Sequence, residues 1–226
     1  MNAFLANPVW EALSTQQSYL NMGDGTVKYF PGDVCPFVGL QNWNQTDFSQ
    51  LAATLPGERT FSVPFFKAII FPDAFQVLFA IPLYQMICRN FYPVENTGST
   101  IVPLTEIHVP QMLVLTEQTK PGPFYQRTIA FGNYNGIFEG SQLVSMAGQR
   151  LQTHTHTEVS AICTNPLHTG KSYAKILTAH ICASIVESGK IPFLHVRQDN
   201  SAAIQLYKKL GFEIGCEIFF YVFRKK

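Results

Sequence analysis

Between Glu158 and Gly211 the chain passes from a strand-like run through a short polar loop into a helix, then a strand, then a second helix. No other stretch limits the possible folds as much. Residues 158–164 read as a strand and 165–171 as the loop. In 172–188, Tyr173, Leu177, Ile181 and Ile185 recur at helical spacing, and Gly189 suits a left-handed helix stop. Residues 192–196 form a short apolar strand and 200–210 a helix ending at Gly211. A last strand pair is expected around Phe212 and 218–223. Upstream, 128–138 and 143–150 read as strands joined by a turn at Glu139, Gly140 and Ser141, so that with 158–164 they make an antiparallel meander. Residues 101–104 read as a strand, and 109–119 as a helix with Met112, Leu113 and Leu115 on one face, followed by a loop at 120–124. This order predicts an α/β (α+β) fold, a mixed twisted sheet flanked by helices.

The first part of the chain reads differently. Pro8, Pro31, Pro36, Pro56, Pro64, Pro72 and Pro82 punctuate it, which argues against long regular elements. Short helices are expected around 10–14 and 48–54, with strand-like runs near 68–71 and 77–81. Residues 90–100 are the best linker, so we expect an aromatic, irregular region over 1–95 packed on a domain over 96–226. The pocket for a substrate should be walled partly by the first region and partly by 120–127.

Composition removes several classes of function. Apolar residues are 46% and charged residues 14% of 226, which suits broad buried surfaces and excludes a solvating disordered chain. A net charge of +1 gives no field to recruit nucleic acid or an anionic membrane. The apolar run 74–87 is interrupted by Gln76, Pro82 and Gln85 and falls short of a bilayer span of roughly 20 residues. No export signal is read at the N-terminus, so the cytoplasm is the expected location. Five cysteines at scattered spacings fit neither a disulfide framework nor a zinc ribbon. His154 and His156 alternate on a strand without a third ligand nearby, so no metal is expected. The expected partner is a small molecule or a peptide end; oligomeric state is not legible.

The segment 164–174 sets a tight loop directly at a helix start. Backbone N–H groups there lack intrahelical partners and face one spot, where the helix dipole adds positive potential. That makes a cradle for a diphosphate, although Gly170-Lys171-Ser172 before a helix is also an ordinary helix entry. It is not a Walker A loop, because Asn165 stands where its first glycine would be.

Downstream, Asn200, Ala203, Leu206, Tyr207, Gly211 and Phe212 fit the pattern N-x-x-A-x-x-L-Y-x-x-x-G-F. Here the sequence resembles the GNAT superfamily of N-acyltransferases, in which that run follows an acyl-CoA loop of form Q/R-x-x-G-x-G/A. Through 192–196 it looks most like the subgroup of glycine N-acyltransferase-like enzymes. The resemblance covers about residues 100–226. Gly170, Lys171 and Ala174 match the loop; Thr169 replaces Gln or Arg, and Ser172 replaces the central glycine, where a Cβ crowds an approaching phosphate.

The resemblance implies acetyl-CoA as co-substrate, held by Thr169, Gly170, Lys171, Ser172, Tyr173 and Ala174. Backbone groups of Ile162, Cys163 and Thr164 would pair with the pantetheine arm, one N–H stabilising the oxyanion, and Asn200 would anchor the other side. Tyr207 would be the acid facing the leaving sulfur. Glu158, eleven residues before Thr169, and His195, five before Asn200, compete as the base that takes the amine proton. Cys163 reads as a packed hydrophobe rather than a nucleophile. The function expected is transfer of an acetyl or short acyl group to a primary amine of a small molecule or peptide; the alternative, suggested by Thr169 and Ser172, is a degenerate acyl-CoA sensor.

Overall fold

The computed structural model describes residues 4–57, 59–96 and 98–226. In chain order the helices and strands are Pro8–Ser14 (α1), Val27–Tyr29 (β1), Val38–Leu40 (β2), Gln45–Thr54 (α2), Thr60–Phe65 (β3), Phe75–Cys88 (β4), Val102–Pro103 (β5), Val109–Thr119 (α3), Asn135–Glu139 (β6), Gln142–Gln152 (β7), His156–Thr164 (β8), Tyr173–Glu187 (α4), Ile191–Arg197 (β9), Ser201–Lys209 (α5) and Phe212–Lys225 (β10). Among the described residues, eight strands form one sheet in the order β3-β10-β4-β9-β8-β7-β6-β5. Every pairing is antiparallel except β8 with β9, so the sheet is mixed as expected.

Each face of the sheet carries its own core. Ile176, Leu177, Ile181 and Ile185 of α4 and Ile204 of α5 pack with Val144, Val159 and Leu194 on one side. Val9 and Leu13 of α1 and Met112 and Leu115 of α3 pack with Met146, Leu151 and Phe193 on the other. A third, aromatic cluster joins β1, β2 and α2 to β3 and β10 through Tyr29, Phe48, Phe61, Phe75 and Phe223. No helix among the described residues is long and apolar enough to cross a membrane.

Five expectations need correction. The prolines of the first part do not prevent long elements: β4 runs 14 residues through Pro82, and β3 contains Pro64. Both sit where a missing N–H breaks no ladder, β3 at the sheet edge and Pro82 just before β9 begins to pair at Leu83. Secondly, the boundary near 95 marks no break in the sheet. β3 and β4 belong to it, and β4 lies between β9 and β10; residues 90–100, of which Thr97 lies outside the described residues, form a loop between β4 and β5. Residues 68–71 are not a strand: Ile70 is exposed, and Phe71 packs on Tyr221 and Phe223. Finally, 128–138 divides. Thr128–Phe131 is a 3-10 turn, held by Thr128 Oγ1 donating to the Val34 carbonyl at 2.7 Å, and the strand begins at Asn135. The expected terminal strand pair is the single strand β10, with an irregularity between Ile214 and Cys216.

The α5–β10 joint is tightly constrained. Gly211 has φ +94°, and a Cβ built there would lie 1.8 Å from the Asn90 carbonyl oxygen, which is backbone and cannot rotate away. Gly211→Ala therefore combines left-handed strain with overpacking. We expect it to lower stability by about 2–4 kcal/mol, read as a fall of about 5–15 °C in melting temperature.

Candidate active site

At the end of β8 the Asn165 side chain accepts from the Leu167 amide at 2.9 Å and starts a 3-10 turn, Pro166–His168. Gly170 (φ +80°) and Ser172 (φ +61°) are both left-handed, and this backbone leads straight into α4. No side chain caps the helix, and the amides of Tyr173, Ala174 and Lys175 bond no described residue. These free donors, with the helix dipole behind them, open on a groove of about 690 Å³ between the start of α4 and α5. Thr169 through Ala174 all line it, as do His168, Lys175 and Lys209, and no carboxylate is among its lining residues. Beside the loop, Glu139 at the end of β6 accepts from Lys171 Nζ at 2.6 Å and from the Tyr173 hydroxyl at 2.5 Å. Those bonds hold its carboxyl down at about 2.

Ser172 occupies a conformation that costs a non-glycine residue of the order of 1 kcal/mol. Ser172→Gly is expected to raise stability by up to about 1 kcal/mol after the greater freedom of glycine in the unfolded chain is subtracted. The shift should be visible as a higher denaturant midpoint at unchanged slope.

A second space opens where β8 and β9 part. Their parallel pairing covers only His156 to Glu158 against Ile191 to Phe193. Beyond it, Ala161 takes φ +52° at a register shift against β7, a bulge that bends β8. The Cys163 carbonyl accepts from Ser145 Oγ at 2.9 Å, and the Asn165 amide donates to Val144 at 2.7 Å, so both residues turn their backbone towards β7. By strand alternation Ile162 and Thr164 turn theirs into the gap. Of the three residues expected to pair with a pantetheine arm, these two face the gap and Cys163 faces β7. The Cys163 thiol is pushed up to about 12 by burial, which keeps it from acting as a nucleophile.

The gap forms a cleft of about 450 Å³, lined partly by Ile81 and Leu83 of β4 and by residues 119–123. The two spaces meet at Ile162, Cys163, Thr164, Asn200 and Tyr207, which belong to both walls. Asn200 caps α5, its Oδ1 accepting from the Ala203 amide at 3.1 Å. Tyr207 is buried; its hydroxyl bonds no described residue, and burial pushes its pKa up, so it stays protonated at neutral pH.

Glu158 lies under the second cleft, fully buried. Arg150, opposite it on β7, holds it through Nε–Oε2 at 2.9 Å and Nη2–Oε1 at 2.5 Å, and His195 Nδ1 lies 2.8 Å from Oε1. Burial alone would raise the Glu158 pKa, but Arg150 and then His195 outweigh it and bring the carboxyl to about 2. His195 Nε2 lies 3.3 Å from Nε2 of Gln85, its cross-strand neighbour on β4. Gln85 accepts from the Leu5 amide at 2.6 Å and donates to the Leu5 carbonyl at 3.2 Å, so its nitrogen is a donor. His195 must then accept at Nε2 and carry its proton on Nδ1, towards Glu158.

The three residues expected to be catalytic thus gather around one cleft at different depths. Tyr207 and His195 line it, whereas Glu158 reaches it only through His195. Arg150 and Gln85 escaped the sequence reading. A signal for Arg150 existed in its position eight residues before Glu158 across a predicted hairpin; for Gln85, 110 residues from His195, no local signal exists.

Residues 134–219 match a family described as FR47-like protein. Among solved structures, a GNAT-family protein from Novosphingobium aromaticivorans DSM 12444 is similar to this chain with a TM-score of 0.89, at 29% identity over 97% of each chain. A GCN5-related N-acetyltransferase from Kribbella flavida is similar with a TM-score of 0.62, at 15% identity over 95% of each. No curated protein matches the sequence. The structural likeness includes the first 95 residues, where no motif was readable. The chain thus has the GNAT fold, and its residues 134–219 match the FR47-like family.

Proposed function

We propose that this protein transfers an acetyl or other short acyl group from acyl-CoA to a primary amine of a small molecule or peptide. The observation that carries the proposal is the meeting of two clefts at Tyr207, one built for an anionic carrier and the other backed by a histidine–carboxylate pair. The first fits a diphosphate chemically: uncapped helix amides, three lysines and no lining carboxylate. When bound, acyl-CoA supplies a thioester carbonyl at the junction.

The chain's own groups divide the remaining work. Backbone of Ile162 and Thr164 facing the gap holds the pantetheine amides, and an N–H there is a donor for the carbonyl oxygen. Asn200, its Oδ1 used in the cap, turns its amide nitrogen to the same arm. As the amine nitrogen bonds to the carbonyl carbon and the C–S bond breaks, Tyr207 donates its proton to the sulfur, and His195 Nε2 takes the amine proton after releasing the Gln85 N–H that it otherwise accepts. Glu158 positions His195 by accepting its Nδ1–H, with Arg150 keeping the carboxylate ionised.

Thiol release from acetyl-CoA tests this reading with a panel of primary amines. Release that depends on the amine is expected, and a panel that produces no free CoA above the amine-free rate contradicts it.

A further inference from the structure

We infer that Glu139 is a positioning residue for the acyl carrier: through its hydrogen bonds to Lys171 and Tyr173 it holds the loop before α4 in the shape that aims the free helix amides at a diphosphate. The inference rests on the acyltransfer reading and adds to it a residue that lines neither cleft. Lys171, Tyr173 and His168, in contrast, all line the groove at the start of α4. The three converge on one oxygen. Glu139 Oε1 accepts from Lys171 Nζ at 2.6 Å and from the Tyr173 hydroxyl at 2.5 Å. His168 Nδ1, which is sealed from solvent and bonds no described residue, stands 3.8 Å from the same atom.

Lys171 and Tyr173 stand on either side of Ser172, whose φ of +61° is a conformation that a residue with a Cβ keeps only where its surroundings dictate it. No side chain caps α4, and Thr169 Oγ1 ties back to the Pro166 carbonyl at 3.1 Å, upstream of the serine. The two bonds to Glu139 are therefore the ones that bracket the strained residue. Their anchor is rigid. Glu139 ends β6 and pairs with Gln142 of β7 across a two-residue turn, in which Gly140 takes φ +60°. The sheet thus carries the carboxylate, while the residues it holds belong to the irregular loop. Lys171 has three N–H donors, of which Glu139 takes one, so two remain for an anion in the groove. A loop and a lysine already held in place lose less freedom when the carrier binds, and the saving appears as affinity.

Calorimetry with acetyl-CoA on the wild type, Glu139→Gln and Glu139→Ala tests the assignment, and amine-dependent thiol release supplies kcat. Glu139→Ala loses both bonds and should bind acetyl-CoA about tenfold more weakly than wild type. A glutamine oxygen still accepts from Lys171 and Tyr173, so Glu139→Gln should stay within about threefold. At saturating acetyl-CoA, kcat should remain within about twofold of wild type in both variants, because His195 takes its bonds from Glu158 and Gln85 and none from the loop. Binding to Glu139→Ala as tight as wild type overturns the assignment, since the loop then needs no brace. Tighter binding overturns it too, because the carboxylate would then act on the diphosphate by repulsion. So does a loss in Glu139→Ala that lies in kcat instead of binding, or a Glu139→Gln protein as weak as Glu139→Ala, which would give the effect to charge and not to the bonds. Each of these results leaves acyltransfer standing; absence of acetyl-CoA binding to the wild type removes both.

Discussion

Glu158→Ala should cost about 3–5 kcal/mol of stability, because it strands the Arg150 guanidinium in the interior without its counter-charge. Glu158 has no exposure to solvent, and Arg150 very little. The same change removes the acceptor for His195 Nδ1, so kcat should fall even in molecules that remain folded. Denaturant titration checks the first effect, and turnover per folded molecule the second. The pair also makes a pH prediction. The Glu158 carboxyl is held at about 2 in the folded protein, below its ordinary value of 4.5, so the folded state binds the proton less readily than the unfolded chain does. Its contribution is therefore complete above 4.5 and is lost as pH falls from there towards about 2. A wild-type stability curve that declines through this acid window, and a flatter one in Glu158→Gln, are the expected results. Parallel curves would contradict the burial argument.

Tyr207→Phe is expected to lower kcat about 10²- to 10⁴-fold, the range attributed to a positioned acid, while binding of acetyl-CoA stays close to wild type. The substitution keeps the ring that packs against Phe212, 5.9 Å between centroids, and removes only a hydroxyl that bonds no described residue. Stability should therefore hardly change. This separates the two variants: Glu158→Ala is expected to lose fold and rate together, Tyr207→Phe to lose rate alone. Retention of most of the wild-type kcat in Tyr207→Phe would mean that the departing sulfur takes its proton from water.

The parts of this molecule that could be read from sequence are those whose physics is local. Helical spacing in 172–188 became α4, Asn200 became the cap of α5, and the loop 165–171 became the approach to an uncapped helix start. Gly211 stands where only a residue without a Cβ fits. What escaped depends on which strands become neighbours. β4 enters the sheet between β9 and β10 from more than a hundred residues upstream of β9, and only that insertion sets Gln85 beside His195. Counting prolines misled because Pro64 and Pro82 are harmful only inside a ladder, and edges are defined by the assembled sheet. Arg150 and Glu158 were separately visible, but a buried ion pair between them follows from a hairpin register that an irregularity between Gln149 and Gln152 resets.

The central claim is that free amides at the start of α4, with Lys171, Lys175 and Lys209 around them, hold the diphosphate of acyl-CoA so that its thioester lies at Tyr207. Calorimetric titration of the wild-type protein with acetyl-CoA tests it most directly. Saturable one-to-one binding with a dissociation constant between about 1 μM and 1 mM, weakened by added salt, is the predicted result. Absence of saturable heat up to millimolar acetyl-CoA would contradict it.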